Sequence, residues 1–161
     1  MGFYQFKKEQ LFEQPIEVLW KFISNPMNLQ KITPEYMGFD IKTPDLPEEM
    51  YPGMIIEYKV SPLLGIKTTW VTEITHLEGE HYFVDEQRVG PYKIWHHQHI
   101  LKSTNSGTLM SDIVSYRPPF GIIGNVVNRL VIEKKLEEIF DFRTQALKGL
   151  FGLPNASLLQ A

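Results

Sequence analysis

The sequence predicts an α+β domain in which a curved antiparallel sheet of about seven strands wraps around one long C-terminal helix. Strand-length segments follow one another between residues 39 and 117, separated by Gly, Pro or Asn-Ser turn signals. Such tight spacing favours an antiparallel meander, because parallel strands need long crossover connections. After residue 121, apolar residues recur at helical spacing. A length of 161 residues fits one domain, which we place at residues 1–152.

The elements follow one another in a simple order. The first strand is predicted over residues 3–12, and a helix over residues 15–23, where a proline suits the first turn. Asn-Pro at 25–26 ends this helix, and residues 27–37 have room for a short second one, broken by Thr-Pro at 33–34. Six further strands are then predicted, in the segments "GFDIKTP", "MIIEYKVSPLLG", "IKTTWVTEITHLEGE", "HYFVDEQRVG", "YKIWHHQHILKS" and "GTLMSDIVSYR".

The last element is a long helix from about Ile122 to Phe151. "EKKLEE" supplies its polar side, and residues 153–161 are expected to form a flexible tail. The apolar face consists of Ile123, Val127, Leu130, Leu136, Ile139, Phe140, Leu147 and Phe151. A helix of that length can cover the concave face of a curved sheet, and a cavity between the two is a common place for a small ligand.

Composition and charge argue against several classes of function. The formal net charge is −3 and the basic residues form no long run, so a nucleic-acid partner is not expected. The absence of cysteine excludes disulfides, a thiol nucleophile and thiolate-bound metal. The N-terminus lacks the apolar core of a signal peptide, and no apolar run approaches the ~20 residues that span a bilayer. We therefore expect a cytoplasmic protein without stable membrane insertion.

Three histidines fall within four positions of "GPYKIWHHQHILK" (90–102), directly after Trp95. Side chains alternate along a strand, so His97 and His99 share a face with Trp95, while His96 points to the opposite face. Both faces carry polar and apolar residues. Periodicity alone therefore does not say which face is buried.

The next strand helps to assign this face. A two-residue turn at 105–106, within "KSTNSGT" (102–108), is the commonest type of hairpin connection. A three-residue turn would pair the other face of the strand, and that alternative stays open. With the two-residue turn, one shared face carries Trp95, His97, His99, Asp112, Val114 and Tyr116.

Three interpretations of this shared face follow. His97-x-His99 is a metal-ligand spacing and Asp112 would be a third ligand, but a closed zinc site takes four and no convincing fourth is visible, so we predict no metal. A His–Asp pair would raise the histidine pKa and suit acid–base catalysis, with His97, His99 and Asp112 as the candidates. The third interpretation, which we favour, is a polar network on a pocket wall that orients the polar end of a ligand.

Several short motifs follow one another along the chain: "TPEYMGF" (33–39), Trp70, "FVDEQRVGPYKIWHHQH" (83–99), "GTLMSDIVSYRPPFG" (107–121) and "IFDFR" (139–143). In this order they resemble those of the SRPBCC superfamily, which includes START-related lipid-transfer domains, polyketide cyclases and birch-pollen-allergen-like proteins. The resemblance spans residues 3 to about 152 and is closest to a bacterial subgroup of ligand-binding, cell-division-inhibitor-like proteins.

The resemblance implies a helix-grip fold with a hydrophobic internal cavity, but no particular reaction, since one fold hosts many chemistries. We therefore predict binding of a small hydrophobic molecule with a polar end (lipid-, quinone- or polyketide-like), with no cofactor. One alternative is a polyketide-cyclase- or dehydratase-like enzyme with a His–Asp pair; another is a regulatory protein-interaction module. The predicted ligand-binding residues are Trp70, Trp95, His97, His99, Asp112, Val114, Tyr116 and Leu130.

The sequence predicts a place at the surface for two further charged residues. Asp85 shares a strand face with Phe83 and Gln87, and a polar pair of that kind is expected to be solvated. Arg143, on the long helix, is expected to form a surface ion pair.

Overall fold

The secondary-structure elements follow the predicted order. The structure is a computed structural model that describes residues 2–62, 65–119 and 131–152. The strands are β1 (Tyr4–Phe12), β2 (Asp40–Ile41), β3 (Ile55–Val60), β4 (Thr68–Glu78), β5 (Tyr82–Val89), β6 (Ile94–Thr104) and β7 (Gly107–Arg117). The helices are α1 (Ile16–Ile23), two 3-10 helices (Pro26–Ile32 and Glu35–Met37) and α2 (Glu133–Phe151).

All seven strands belong to one antiparallel sheet with the order β1-β7-β6-β5-β4-β3-β2. Strands β2 to β7 form the predicted meander, and β1 closes it by pairing with β7, from Tyr4 opposite Tyr116 to Phe12 opposite Thr108. The fold class and the meander predicted from the sequence are therefore confirmed, and the pairing of β1 with β7 is added by the structure.

The hairpin between β6 and β7 has the predicted two-residue turn. Thr104 pairs with Gly107, which leaves residues 105 and 106 as the turn. Gly107 has a φ of 119°, and a Cβ there would overlap the carbonyl oxygen of Phe12, so the position requires glycine. This turn fixes the register of the two longest neighbouring strands and thereby decides which side chains share a face.

Helix α1 packs on the sheet through an amphipathic face. Leu19 and Ile23 are buried, and Pro15 occupies the N-cap position. The chain then turns through the first 3-10 helix, where the Asn25 side chain accepts a hydrogen bond from the backbone N–H of Met27. These short helices cover one end of the space that the sheet encloses.

Helix α2 covers the inner face of the sheet. The predicted start near residue 122 lies outside the described residues, as do the predicted tail 153–161 and Leu130. Within α2, Leu136 and Phe140 pack in one core cluster with Trp70 and Tyr116, and Leu147 packs in a second cluster. Neither α2 nor any other helix in the described part of the chain is long and apolar enough to cross a membrane.

Candidate functional site: a cavity with a buried charge cluster

A cavity of about 140 Å³ lies between the sheet and α2. Most of its wall is apolar, with Leu136, Ile139 and Phe140 on the helix side. The sheet supplies aromatic and branched side chains, and the 3-10 helices close one end. An engineered apolar cavity of about 150 Å³ binds benzene, so this volume suits a molecule built on a ring or a short chain. The aspartate, histidine and arginine residues among those that line the cavity are Asp85, His97, His99 and Arg143.

Aromatic side chains form a continuous part of the sheet-side wall. The Trp70 ring meets the Trp95 ring edge-on, with 5.2 Å between centroids, and the Tyr92 ring lies 4.9 Å from that of Trp95. The buried Thr72 hydroxyl accepts a hydrogen bond from Trp70 Nε1 at 3.1 Å and lies 3.0 Å from the Tyr58 hydroxyl. This bond gives the indole nitrogen a partner, so the wall presents mainly its apolar ring faces.

The charged part of the wall is built by strand register. His97 of β6 lies directly opposite Asp85 of β5, and His99 lies directly opposite Asp112 of β7. His97 and His99 are two residues apart and therefore point to the same side of the sheet. Three adjacent strands thus bring two aspartates and two histidines together, and we refer to these four residues as the charge cluster.

Each imidazole of the charge cluster contacts both carboxylates. The two hydrogen bonds run diagonally: His97 Nε2 to Asp112 Oδ1 at 3.0 Å, and His99 Nε2 to Asp85 Oδ2 at 2.9 Å. His97 Nδ1 lies 3.2 Å from Asp85 Oδ2. His99 Nδ1 lies 3.0 Å from Asp112 Oδ1, but outside hydrogen-bonding geometry. Every imidazole nitrogen therefore has a carboxylate oxygen as its near neighbour.

Packing fixes the orientation of both imidazole rings. The His99 ring stacks on Phe83, with 4.0 Å between centroids and 11° between planes. The His97 ring meets Phe140 of α2 nearly edge-on, and the centroids of the two imidazoles are 3.8 Å apart. Rings held in this way cannot turn their nitrogens away from the carboxylates without repacking the core.

Arg143 of α2 brings a positive charge to the same place. It is 8% exposed, its Nη1 lies 3.6 Å from Asp112 Oδ1, and its guanidinium carbon lies 4.7 Å from the centroid of the Phe140 ring. Its Nε is buried and forms no hydrogen bond to a described residue. The guanidinium is thus close to the charge cluster but only weakly bound to it.

Burial and charge act in opposite directions on the charge cluster. Burial disfavours the ionised form of Asp85, yet the charge of His97 and its hydrogen bonds to the imidazoles outweigh this and lower the pKa of Asp85. The pKa of Asp112 is lowered too, because hydrogen bonds from His97 and His99 outweigh its burial. Burial would lower the pKa of His97, but Asp85 and Asp112 raise it. With His97 protonated, Asp85 and Asp112 balance His97 and Arg143.

Comparison with known proteins bears on the fold. No family model and no curated protein match the sequence. Solved structures do match: a protein from Chromobacterium violaceum has a TM-score of 0.67 at 15% identity, covering 92% of this chain and 97% of that one. The ginseng major latex-like protein 151 from Panax ginseng has a TM-score of 0.64 at 9% identity, covering 92% and 97%. A protein from Thermus thermophilus has a TM-score of 0.63 at 14% identity, covering 91% and 95%.

The chain has the helix-grip fold. Each matched structure is covered almost completely, so the likeness extends over the sheet, the short helices and α2 together. At such low identity the likeness concerns the helix-grip fold alone.

The structure places only some of the residues predicted for ligand binding at the cavity. Trp70, Trp95, His97 and His99 line the cavity. Asp112 lies behind the imidazoles and holds both of them. The rest of the predicted set lies elsewhere: Val114 and Tyr116 are buried in the core cluster and are not among the cavity-lining residues, and Leu130 is outside the described residues.

The predicted separation of the three histidines is confirmed. His96 points away from His97 and His99, and its Nδ1 lies 2.8 Å from Glu86 Oε1 on the outer face of the sheet. Its side chain is 32% exposed, whereas those of His97 and His99 are 5% and 9% exposed. Only two of the three histidines therefore belong to the cavity.

Two interpretations of charged residues were wrong. Asp85 is not solvated: it lines the cavity and contacts both imidazoles of the charge cluster. Arg143 is not part of a surface ion pair, because it is buried beside Asp112. The sequence carried a signal for Asp85, since it shares a strand face with Phe83, and a phenylalanine at that spacing favours an inward face.

The charge cluster also contains a group of metal-ligand types. One ligand atom each from Asp85, His97 and His99 lies within 4.8 Å of the other two. The third residue of this group is therefore Asp85, whereas the metal site considered from the sequence had Asp112 as its third ligand. Asp112 instead contacts the nitrogens that point away from Asp85, as a carboxylate supporting metal-bound histidines would. Hydrogen bonds from protonated imidazole nitrogens to the carboxylates explain the same contacts without a metal ion.

Proposed function

We propose that the protein binds a small, largely apolar molecule with a polar end in the cavity between the sheet and α2. The observation that carries this proposal is the uneven wall of the cavity: most of it is apolar and aromatic, while three members of the charge cluster and Arg143 bring ionisable groups to it close together. Apolar walls provide affinity through burial, and a few polar groups at one position fix the orientation of a ligand.

The cavity volume sets the expected size and affinity of the ligand. A molecule of about 10 non-hydrogen atoms that gains roughly 0.5 kcal/mol per atom binds with about 5 kcal/mol, a Kd on the order of 0.2 mM. Tighter binding requires a larger molecule that also displaces wall side chains or extends through an opening. Titrations should therefore cover the micromolar to millimolar range.

The motif resemblance supports the same proposal. It suggests membership of the SRPBCC superfamily and of the subgroup described as ligand-binding or cell-division-inhibitor-like. The helix-grip fold of the chain is in keeping with that resemblance. The ligand itself has to be identified by experiment, because one fold serves many ligands and reactions.

The indole rings of the wall give a direct test. Trp70 and Trp95 line the cavity, and the remaining tryptophan, Trp20, packs in the second core cluster. A ligand that enters the cavity should quench or shift the fluorescence of the first two in a saturable way. A Trp20→Phe variant should show the same titration, whereas a Trp95→Phe variant should lose much of the signal. Failure of every apolar probe to saturate the signal would contradict the proposal.

A second candidate function rests on one observation. His97 lines the cavity and is hydrogen-bonded to the buried Asp112, an arrangement in which a histidine can exchange a proton with a bound ketone. A lyase of the cyclase or dehydratase type would use His97 in this way. It would show a bell-shaped pH–rate profile, and Asp112→Asn would abolish turnover while ligand binding persists. Binding without turnover of any bound ketone would exclude this candidate.

A further inference from the structure

Arg143 is the charged group at the cavity whose bonding capacity is least used. A guanidinium has five N–H donors and stays protonated even when buried. Arg143 is more than nine-tenths buried, and its one ion pair within the described ranges is the 3.6 Å contact with Asp112. Its Nε donor has no acceptor there either. A buried cation normally requires closer compensation, because its removal from water costs several kcal/mol.

The carboxylate oxygen nearest Arg143 is shared with both imidazoles. Asp112 Oδ1 lies 3.0 Å from one nitrogen of each imidazole, and both contacts are shorter than its contact with Arg143. Asp85 Oδ2 is likewise within 3.2 Å of both imidazoles. These two carboxylate oxygens thus serve the histidines, and the guanidinium, which lines the cavity, keeps donors for another acceptor.

We propose that the polar end of the ligand is a carboxylate that Arg143 binds, so that the protein takes small apolar carboxylic acids. This inference rests on the proposed function, which supplies the cavity for the apolar part. The planar guanidinium matches a carboxylate in a two-point contact, and such charge-assisted bonds are roughly twice as strong as neutral ones. The Phe140 ring packs against the guanidinium, 4.7 Å from its carbon, and restrains its position.

The charge cluster explains why a single negative charge fits better than the alternatives. A cationic ligand end would compete with the two imidazoles for Asp85. A dianion such as a phosphate monoester would add two negative charges next to Asp85 and Asp112, whose charges His97 and Arg143 already balance. A neutral hydroxyl would leave the guanidinium with only its 3.6 Å contact to Asp112, a carboxylate that both imidazoles share. A monoanion gives the guanidinium a closer counter-charge and adds the least negative charge to the site.

The test compares three molecules with the same apolar body. Calorimetric titrations of the full chain at pH 7 use 3-phenylpropanoate, 3-phenylpropan-1-ol and the methyl ester of the acid. The acid is expected to bind roughly ten-fold more tightly than the alcohol or the ester, because only the acid forms a charge-assisted bond. Arg143→Met should raise the Kd of the acid by roughly ten-fold, to that of the alcohol.

Two further variants keep the test decisive. Lys134→Met removes a positive charge from the exposed side of the same helix, and it should leave the preference for the acid unchanged. Arg143→Lys keeps the charge without the planar fork, and it should reduce the preference by a few-fold. If Arg143→Met does not fold, as judged by circular dichroism, the ratio measured with Arg143→Lys decides the role of the arginine.

Each result has one meaning. Equal binding of the acid, the alcohol and the ester overturns the carboxylate inference and leaves the proposed function standing. A preference for the acid that survives both arginine variants overturns the assignment to Arg143. Absence of binding for all three molecules contradicts the inference and the proposed function together. The preference in the wild type and its loss in the arginine variants support both.

Discussion

His97 Nε2 and Asp112 Oδ1 are 3.0 Å apart, and both side chains are buried. The pair lies where β6 and β7 face α2: Arg143 of α2 contacts Asp112, and both His97 and Arg143 line the cavity. A buried pair of this kind is costly to break, because removal of one partner leaves the other charged and without its partner. The charge cluster therefore has consequences for stability that can be measured without knowing the ligand.

Replacement of the buried carboxylate should destabilise the fold. We expect Asp112→Asn to lower the free energy of unfolding by about 3 kcal/mol, because His97 and Arg143 lose their shared counter-charge. Urea denaturation at pH 6 measures this change. Asp141→Asn is the matched control: Asp141 pairs with Lys8 at the surface, with its side chain 64% exposed, and should change stability by less than about 1 kcal/mol. Equal effects of the two substitutions would contradict the buried charge cluster.

Stability should depend on pH in both directions. The raised pKa of His97 means that its contribution is complete below the unfolded-state pKa, near 6.5, and is lost as pH rises through the folded-state value. The lowered pKa values of Asp85 and Asp112 mean that their contributions are present above about 3.8 and are lost as pH falls through the folded-state values. The free energy of unfolding should therefore be highest between about pH 4 and pH 6.5.

The alkaline side of this profile can be assigned to one residue. His97→Gln should remove the fall in stability above pH 6.5, because glutamine carries no proton to lose. His81→Gln, at an exposed position, should leave the profile unchanged. Urea unfolding from pH 5 to pH 9 gives both curves. An alkaline fall that persists in His97→Gln would assign it to another group.

Filling the cavity should abolish binding without unfolding the protein. Ile139 of α2 lines the cavity and is only partly buried, so Ile139→Trp adds volume into open space. We expect a loss of probe binding of at least about ten-fold and a melting temperature within a few degrees of wild type. Phe142→Trp, at a position 40% exposed on the same helix, is the control and should bind normally. Normal binding by Ile139→Trp would place the ligand elsewhere.

The buried hydroxyl of Thr72 should contribute to the stability of the aromatic wall. Thr72→Val keeps the shape of the side chain but removes the acceptor of Trp70 Nε1 and the partner of the Tyr58 hydroxyl. The expected cost is about 2 kcal/mol in the free energy of unfolding, because two buried polar groups lose a partner. Thr75→Val, at a half-buried position of the same strand, should cost clearly less. Thermal or urea unfolding of both variants measures the difference.

Local patterns were sufficient to predict the sheet and one of its faces. The turn signals between strand-length segments predicted the meander, and the hairpin turn at 105–106 predicted the register that brings Asp112 beside His99. Register follows from such a turn because a two-residue connection leaves little freedom in pairing. The side chains that lie behind the cavity wall, Val114 and Tyr116, share that face but point into the packed core.

The remaining residues of the site depend on contacts that distant parts of the chain make. Arg143 follows Asp112 by 31 positions and reaches it only because α2 crosses the inner face of the sheet. The helix pattern of the sequence predicts which residues face the sheet, but not that a charged residue among them meets a buried carboxylate. Asp85 was misassigned because its strand face carries Phe83 and Gln87 as well, a mixture that is typical of either side of a sheet.

Native mass spectrometry of the protein purified from its own host tests the central claim, that the cavity holds a small apolar molecule with a polar end. We predict a non-covalent adduct that organic extraction removes and that the Ile139→Trp variant fails to retain. The extracted compound should have an apolar body of a size that suits a cavity of about 140 Å³. A protein that is recovered without any adduct, and that also fails to bind apolar probes added at millimolar concentration, would contradict the claim.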